Sequence, residues 1–497
     1  MLMQWQRVHP VALLYFTEQA LRIGVSNLVF LIPLAIALRS TFAENPTRVL
    51  LLLGMIVTVG IGIIIANYLA FRFRVHEQHV EIHKGLLKRV KLNLPFDKIQ
   101  DVRLSQPIYY RLHDMRVVTL DTAGSGKDEG VIVAMAKEQA DKLSDWITAY
   151  SGNSTDAASD PKENTLDTNR QLLERHISDL IIHGMSNNRV WIFLGLLSPF
   201  IDDAVKYMDS SMTTIDLRSL YAINEHGLLL VSLTVALTGM LLLVIVTLLS
   251  VAGAIINFYG FRLSLRAQRL QQQSGLFTRR QVSLNLLRIQ HIEYRQTWLD
   301  GLFGRVNLTY KQLARPVAMP GDEKQSLLVP SITPAQAEDL GQLAFNHTPP
   351  KNISFQPISR RFMLKHSLVF TGLSALLALG INLEVNFKLP FVALLLVPII
   401  LQGLVILRWY RWGFAFDDKQ LYVRSGLFGH TIVVAPWHKM QYTQLNVSWL
   451  QQRHQLATAQ LGFASAPITI PMLKQSDAIL LLEKALKAAA NPNQRWM

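Results

Sequence analysis

Gly275-Leu276-Phe277-Thr278 decides how this chain is read, because the stretch returns. Gly85-Leu86-Leu87-Lys88 stands 190 residues before it, and Gly426-Leu427-Phe428-Gly429 stands 151 residues after it. Fourteen residues beyond each Gly comes an apolar residue followed by Gln: Ile99-Gln100, Ile289-Gln290 and Met440-Gln441. Nine residues past those apolar positions lie Ile108, Trp298 and Trp449. Ahead of each copy run a membrane-length apolar segment, an aromatic and basic junction, and a short alternating stretch. Landmarks kept ungapped and in register mark a triplicated unit.

A chain of 497 residues exceeds what one core supports, so several domains are expected. Half of the residues are hydrophobic and only 17% are charged, against roughly 25% in ordinary soluble domains. That deficit points to a membrane protein. The net charge of +14 then belongs at the cytoplasmic membrane face rather than on nucleic acid. There is no cysteine, which removes disulfides, thiolate metal sites and Cys nucleophiles. Met1-Leu2-Met3-Gln4-Trp5-Gln6-Arg7 lacks a signal-peptide pattern, so a retained first helix is expected.

Residues 1–22 read as an interfacial helix, with Trp5, Tyr15 and Phe16 beside Arg7, Glu18 and Arg22. Apolar runs at 23–38 and 49–71, joined through Glu44-Asn45-Pro46, make a first transmembrane hairpin over 23–71. Phe71-Arg72-Phe73-Arg74-Val75-His76 then alternates with period two, as a strand does. Further short strands are expected at 79–83, 90–94, 117–121 and 131–133, and a helix at 135–149. A β-module closed by one helix therefore occupies 72–150. A polar linker, 151–172, leads to the second cycle: a short helix and hairpin over 173–260, then a module over 261–347 whose final helix opens on the capping box Thr333-Pro334-Ala335-Gln336. After a linker at 348–365 the third hairpin spans 366–411, and the third module spans 412–491 with its closing helix from Ser476 to Ala490. Within the second hairpin the run from Val190, broken by Pro199, is the weaker span, and Gly227 to Phe258 is the stronger. Trp409, Tyr410 and Trp412 read as interfacial anchors.

Charge beside the spans sets the orientation. Arg72 and Arg74, then Arg262, Arg266 and Arg269, then Arg408 and Arg411 follow the three hairpins. The opposite loops hold Arg39, Arg48, Lys206, Arg218 and Lys388, diluted by Glu44, Asp209, Asp216, Glu225 and Glu384. All three modules and both termini are expected in the cytoplasm.

A helical hairpin followed by a small β-domain and a closing helix, repeated, resembles the bacterial PH-like-domain membrane proteins of the YdbS/YdbT type. The resemblance rests on Gly275-Leu276-Phe277 and Gly426-Leu427-Phe428, on Ile289-Gln290-His291-Ile292, and on Gln296-Thr297-Trp298-Leu299-Asp300-Gly301-Leu302-Phe303-Gly304. It covers essentially the whole chain, and the three-module arrangement looks like the larger YdbT-like type. It implies an α+β membrane protein whose three hairpins each precede a PH-like split β-barrel of about seven strands with a C-terminal helix. It brings no catalytic residue. His113-Asp114-Met115 and His454-Gln455-Leu456 replace Phe303-Gly304-Arg305 in the outer copies, so the copies need not be equivalent.

No other constellation carries chemistry. His76, His79 and His83 with Glu77 and Glu81 do not have His-Glu-x-x-His spacing and read as a polar hairpin surface rather than a metal site. Gly124-Ser125-Gly126-Lys127 lacks both ends of the phosphate-loop pattern, since 121 and 128 are Asp. Asp202 and Asp203 read as a wet helix end rather than an ion path, for want of a partner charge. The interaction candidates are the basic junctions: Arg72, Arg74, Lys84, Lys88 and Arg89 in the first copy, Arg262, Arg266, Arg279 and Arg280 in the second, and Arg408 and Arg411 in the third. Beside an anionic leaflet each contributes about 1 kcal/mol; as topology signals alone they need bind nothing specific. The expectation is a non-enzymatic inner-membrane protein without metal or cofactor, whose partners are membrane lipids and either a smaller related PH-like membrane protein or itself. By resemblance the setting is envelope stress or antimicrobial-peptide defence. Lipid-headgroup sensing or lipid handling through the hairpins is the alternative.

Overall fold

The computed structural model describes residues 4–26, 46–76, 78–85, 89–122, 130–153, 170–186, 225–266, 268–312, 326–384 and 391–490. Most of the first apolar run, the Val190 run with Asp202 and Asp203, the Gly124–Lys127 loop, Lys88 and the loop at Lys388 lie outside the described residues.

Each repeat begins one strand earlier than expected. In the first, β1 (Gln6–Arg7) and α1 (Ala12–Ser26) precede α2 (Pro46–Ala70), and then come β2 (Arg72–His76), β3 (His79–Lys84), β4 (Val90–Pro95), β5 (Ile99–Pro107), β6 (Met115–Thr122), β7 (Gly130–Ala136) and the closing helix α3 (Lys137–Asn153). The second has β8 (Arg170–Glu174), α4 (Ile177–Ser186), α5 (Glu225–Phe258), β9 (Arg262–Arg266), β10 (Arg269–Ser274), β11 (Thr278–Asn285), β12 (His291–Gln296), β13 (Val306–Lys311), β14 (Ser326–Ile332) and α6 (Pro334–Ala344). The third has β15 (Gln356–Pro357), α7 (Arg361–Glu384), α8 (Phe391–Arg411), β16 (Gly413–Phe416), β17 (Gln420–Ser425), β18 (His430–Pro436), β19 (Met440–Asn446), β20 (Leu456–Phe463), β21 (Pro467–Lys474) and α9 (Gln475–Ala489). Among the described residues, seven strands and one closing helix per repeat match the expected count. The module starts at 72, 261 and 412 need correction, because β1, β8 and β15 precede the helices and pair with β2, β9 and β16 beyond them. The helices are thus an insertion between the first two strands of a module. The two-residue strands β1 and β15 carry too little periodicity to announce themselves.

Local chemistry explains the strands. In β2 and β3 the alternation buries Phe73, Val75, Val80 and Ile82 on one face. The recurring glycine turns the chain at left-handed φ, +93° at Gly85, +115° at Gly275 and +156° at Gly426. A Cβ at Gly275 would sit 2.0 Å from the Thr278 carbonyl oxygen, so no other residue fits. A bulge recurs at one repeat position, between Arg116 and Val118, Val306 and Leu308, and Ala457 and Ala459. The strand after it carries left-handed Ala134, Ser331 or Met472.

Sheets are shared between repeats. One seven-stranded sheet runs β7-β6-β5-β11-β10-β9-β8, and another runs β14-β13-β12-β18-β17-β16-β15. The second half of one module therefore continues into the first half of the next. Four-stranded β1-β2-β3-β4 and three-stranded β19-β20-β21 are the halves left over at the two ends. The chain forms two compact units, each containing one shared sheet: Met1–Glu174 with Gly260–Asn285, and Arg175–Tyr259 with Leu286–Ala314 and Gln325–Met497.

In the first unit one core joins β2–β4 to β5–β7 under α3, through Val80, Ile82, Val102, Leu120, Ile132 and Leu143, with Ala12 of α1 added. In the second, Phe414, Leu421 and Val423 meet Ala459, Leu461 and Ile470 under Leu481 of α9. Each such fully buried aliphatic side chain stabilises by ~1.5–3 kcal/mol. This two-sheet core with a capping helix is the split-barrel arrangement. Among the described residues, Gly239–Phe258 is the helical stretch long and apolar enough to cross a membrane alone, at mean hydropathy 2.7, and the apolar stretch Gly54–Ala70 is shorter. The third helical pair is joined by polar contacts: Ser367 Oγ donates to Gln402 Oε1 at 2.5 Å, and Gln402 Nε2 donates to Thr371 Oγ1 at 2.7 Å.

A buried charge group crosses the first shared sheet. Asp101 faces Asp121 across β5 and β6, and Arg103 clamps Asp121 at 3.0 and 3.1 Å. Burial, then the Asp121 charge, pushes the Asp101 carboxyl up to about 7 against the pull of Arg269 and Arg103. Arg269, counted by sequence among the membrane junction charges, is itself buried. A carboxyl whose pKa rises on folding adds most stability below its unfolded value, ~3.9, and that contribution disappears as pH climbs through 7. Asp101→Asn is therefore expected to stabilise the first unit at pH 8, by on the order of 1–3 kcal/mol, with no gain near pH 4. Thermal melts at the two pH values read the difference.

Candidate functional site

The last turn of α8 supplies Leu407, Tyr410 and Arg411 to one wall of a cleft of about 580 Å³. Arg424 from β17, His430 and Ile432 from β18, Tyr294 from β12, and Phe355 line the rest of it. Glycine makes room here. Gly413 stands opposite Arg424, and a Cβ on it would lie 3.0 Å from the Phe355 Cβ and 3.2 Å from the Gln356 carbonyl. At this repeat position the other copies carry Arg72, opposite His83, and Arg262, opposite Gln273. The third copy has thus moved its cation from one strand to the next.

The Arg424 guanidinium lies 4.9 Å from the Phe355 ring centroid and donates from Nε to the Arg411 carbonyl at 3.2 Å. Burial holds its pKa below the ordinary arginine value, with Tyr410 opposing and Arg411 adding. Burial, then the Arg411 and Arg424 charges, holds His430 below the ordinary histidine value. Among the described residues no carboxylate lies within ion-pair distance of Arg411 or Arg424; the cleft's Glu338 pairs with Lys351 at 3.3 Å. Two guanidinium groups beside Leu407, Ile432 and Phe355 suit an anionic group on an apolar stem.

The other basic candidates are placed differently. Arg74 is held bidentately by Glu81 at 2.7 and 2.9 Å, Arg262 reaches Glu174 at 3.1 Å and Arg266 reaches Asp145 at 3.8 Å. Arg72 and Arg89 are exposed and Lys84 is half-buried. Arg279 and Arg280 lie in the shared sheet opposite Gln106 and Ser105. Arg408 sits 5.9 Å over the Phe362 ring, and Trp409 is anchored through Nε1 to the Ile358 carbonyl at 3.0 Å. Of the candidates named from sequence, the cleft takes Arg411. Arg424 and His430 were missed; the available signal was an arginine two residues before Gly426, where the other copies have His83 and Gln273. His76 and His79 face each other across the β2–β3 turn, while His83 lies on the Trp5 ring at 4.2 Å.

The repeat landmarks divide by role. Ile108, Trp298 and Trp449 are 52%, 60% and 72% exposed, forming an apolar knob on every module, whereas Tyr110, Asp300 and Gln451 two residues on are buried. Asp300 closes a capping box with Thr297 and accepts from Asn307 Nδ2 at 2.9 Å. Gln290 is buried and Gln441 is exposed; Gln100 lies on β5.

Residues 27–151, 222–340 and 368–489 each match the family model described as Bacterial PH domain. The chain belongs to the bacterial PH domain family. Over 499 aligned residues it is 20% identical to the UPF0699 transmembrane protein YdbT of Bacillus subtilis (strain 168), covering 97% of this chain and 98% of the relative. It is 29% identical over 130 residues to the UPF0699 transmembrane protein YdbS of the same strain, covering 25% of this chain and 79% of that one. As a three-repeat bacterial PH protein of the YdbT-like type, it fulfils the sequence expectation of a repeated PH-like fold, with the inserted helices as the feature the sequence did not reveal.

Proposed function

We propose that this bacterial PH protein is a non-enzymatic, multi-pass inner-membrane protein whose modules serve protein assembly at the cytoplasmic face. The membrane part of the reading is supported by Gly239–Phe258, by the transmembrane proteins it resembles, and by arginines at the module end of each helical pair. Three hairpins and six spans belong to the same proposal, as do the cytoplasmic termini and a setting in envelope stress or antimicrobial-peptide defence. One observation carries the assembly reading: the modules are already joined to one another, edge to edge, through continuous sheets. A strand edge used twice inside the chain is an interaction device. Gentle detergent extraction followed by native mass spectrometry tests it. A stoichiometric complex, with a second copy or with a smaller single-module relative, is expected; a lone monomer would sink the reading.

A second reading has its own observation. The cleft at Arg411 and Arg424 favours recognition of an anionic phospholipid headgroup, with Leu407, Ile432 and Tyr410 against the start of the acyl chains. Assembly and headgroup recognition use different surfaces, so one chain has room for both.

A further inference from the structure

Both shared sheets are joined in one register. Ser105 faces Arg280 between β5 and β11, and Arg295 faces Thr431 between β12 and β18. These are the same repeat positions, since the offsets of 190 and 151 residues carry Ser105 to Arg295 and Arg280 to Thr431. The fifth strand of a module, β5 or β12, is therefore built to receive the fourth strand of the next module, β11 or β18.

Two such edges stay open. Among the described residues of its own unit, β19 is bonded to β20 alone, and β4 likewise to β3 alone. The difference shows in exposure. In β12, His291 is 2% exposed and its Nδ1 is 2.8 Å from Ser465 Oγ of the following module; at the same repeat position in β19, Tyr442 is 48% exposed. Met440-Gln441-Tyr442-Thr443-Gln444-Leu445-Asn446 contains no charge and no proline, the usual protections of an unpaired edge. The opposite edge of the same small sheet, β21, carries Pro467, Pro471 and Lys474. One edge is blunted and the other is left ready to pair.

We propose that β19 of one chain receives β4 of a second copy, with Asn446 facing Val90 and Gln444 facing Leu92, so that the chains continue head to tail the sheet sharing seen within each. This deepens the assembly reading and rests on it. A second copy is the occupant because one chain carries both complementary halves of the junction, the receiving edge at its end and the inserting strand at its start. The contact is heterologous, closing to a ring or growing as a file according to its rotation.

The chain has no cysteine, which makes disulfide mapping clean. Full-length Asn446→Cys and Val90→Cys chains with different tags are co-expressed in membranes and mildly oxidised. Facing residues of an antiparallel pair have Cα atoms ~4.5–5.5 Å apart, inside disulfide reach. A heterodimer is expected at least about five-fold above the off-register pair Gln444→Cys with Val90→Cys, whose diagonal spacing of roughly 7–8 Å exceeds that reach. The double variant in one chain should give a ladder of dimers and larger species. Equal yields in and out of register, or a double variant that closes only on itself, would overturn the pairing. If those results appear while native mass spectrometry still finds a complex, the head-to-tail edge is wrong and the assembly reading stands; a lone wild-type monomer removes both.

Discussion

Val434→Asp is expected to unfold the sheet that joins the second and third repeats. Val434 is fully buried on β18, facing Ile292 of the previous module on one side and Tyr422 of its own on the other. Ile292 in turn faces Tyr310, and Tyr310 faces Leu327. One apolar row thus crosses five strands and the module boundary, with Leu327, Tyr310, Ile292 and Val434 all at 0% and Tyr422 at 2% exposure. A carboxylate placed in that row has no cation beside it. An unpartnered buried charge costs about 3–5 kcal/mol, a large part of the ~5–15 kcal/mol that holds a domain folded. Limited proteolysis and a thermal melt in detergent should show both repeats loosened together, because the damage falls on the strand that binds them. Val447→Asp, at a residue 51% exposed beside the open edge, is expected to change the melt by no more than ~0.5 kcal/mol. Equal effects of the two substitutions would mean that the junction contributes little.

The second large effect is expected at the cleft. Arg411→Gln with Arg424→Gln removes two cations from a site where, among the described residues, no carboxylate pairs with either. At about 1 kcal/mol per charge near an anionic surface, the pair is worth ~2 kcal/mol, or roughly 30-fold in affinity. Lipids co-purifying after gentle extraction should shift from anionic to zwitterionic species in the double variant. Arg262→Gln is the comparison, because Arg262 already pairs with Glu174 at 3.1 Å, and it should leave the lipid profile unchanged. If both variants lose anionic lipid equally, the charges act as a general surface field and the cleft is not a headgroup site. Excess inorganic phosphate should fail to displace the lipid if Leu407 and Ile432 contribute to holding it.

Much of this was legible in the sequence. Gly85, Gly275 and Gly426 gave the period because a left-handed turn admits little else, and Phe73, Val75, Val80 and Ile82 gave the strands because one face is buried. Thr333 to Gln336 gave the start of α6 because a capping box is local chemistry. What stayed hidden is non-local. The alternation in β5 or β11 records that a strand is half-buried, and it reads the same whether the neighbour belongs to its own module or the next. Gln6–Arg7 and Gln356–Pro357 are too short to show a period, so the helices looked like preludes to the modules instead of insertions within them. Ala134, Ser331 and Met472 adopt left-handed backbone without being glycine, and their bulges left no mark in residue type. The cleft was half visible: Arg411 stood out as a junction charge, but Arg424 became a partner only when Gly413 and Phe355 were seen on either side of it.

Consecutive modules share sheets instead of closing on themselves, and disulfide mapping within one chain reads this out. Ser105→Cys is paired either with Arg280→Cys on the next module's β11 or with Val90→Cys on β4 of its own module, which holds the same repeat position. The shared sheet predicts rapid, near-complete closure of the Ser105–Arg280 pair within one chain, and none between Ser105 and Val90. Closure between Ser105 and Val90, with Arg280 left free, would mean three self-contained barrels and would contradict the account.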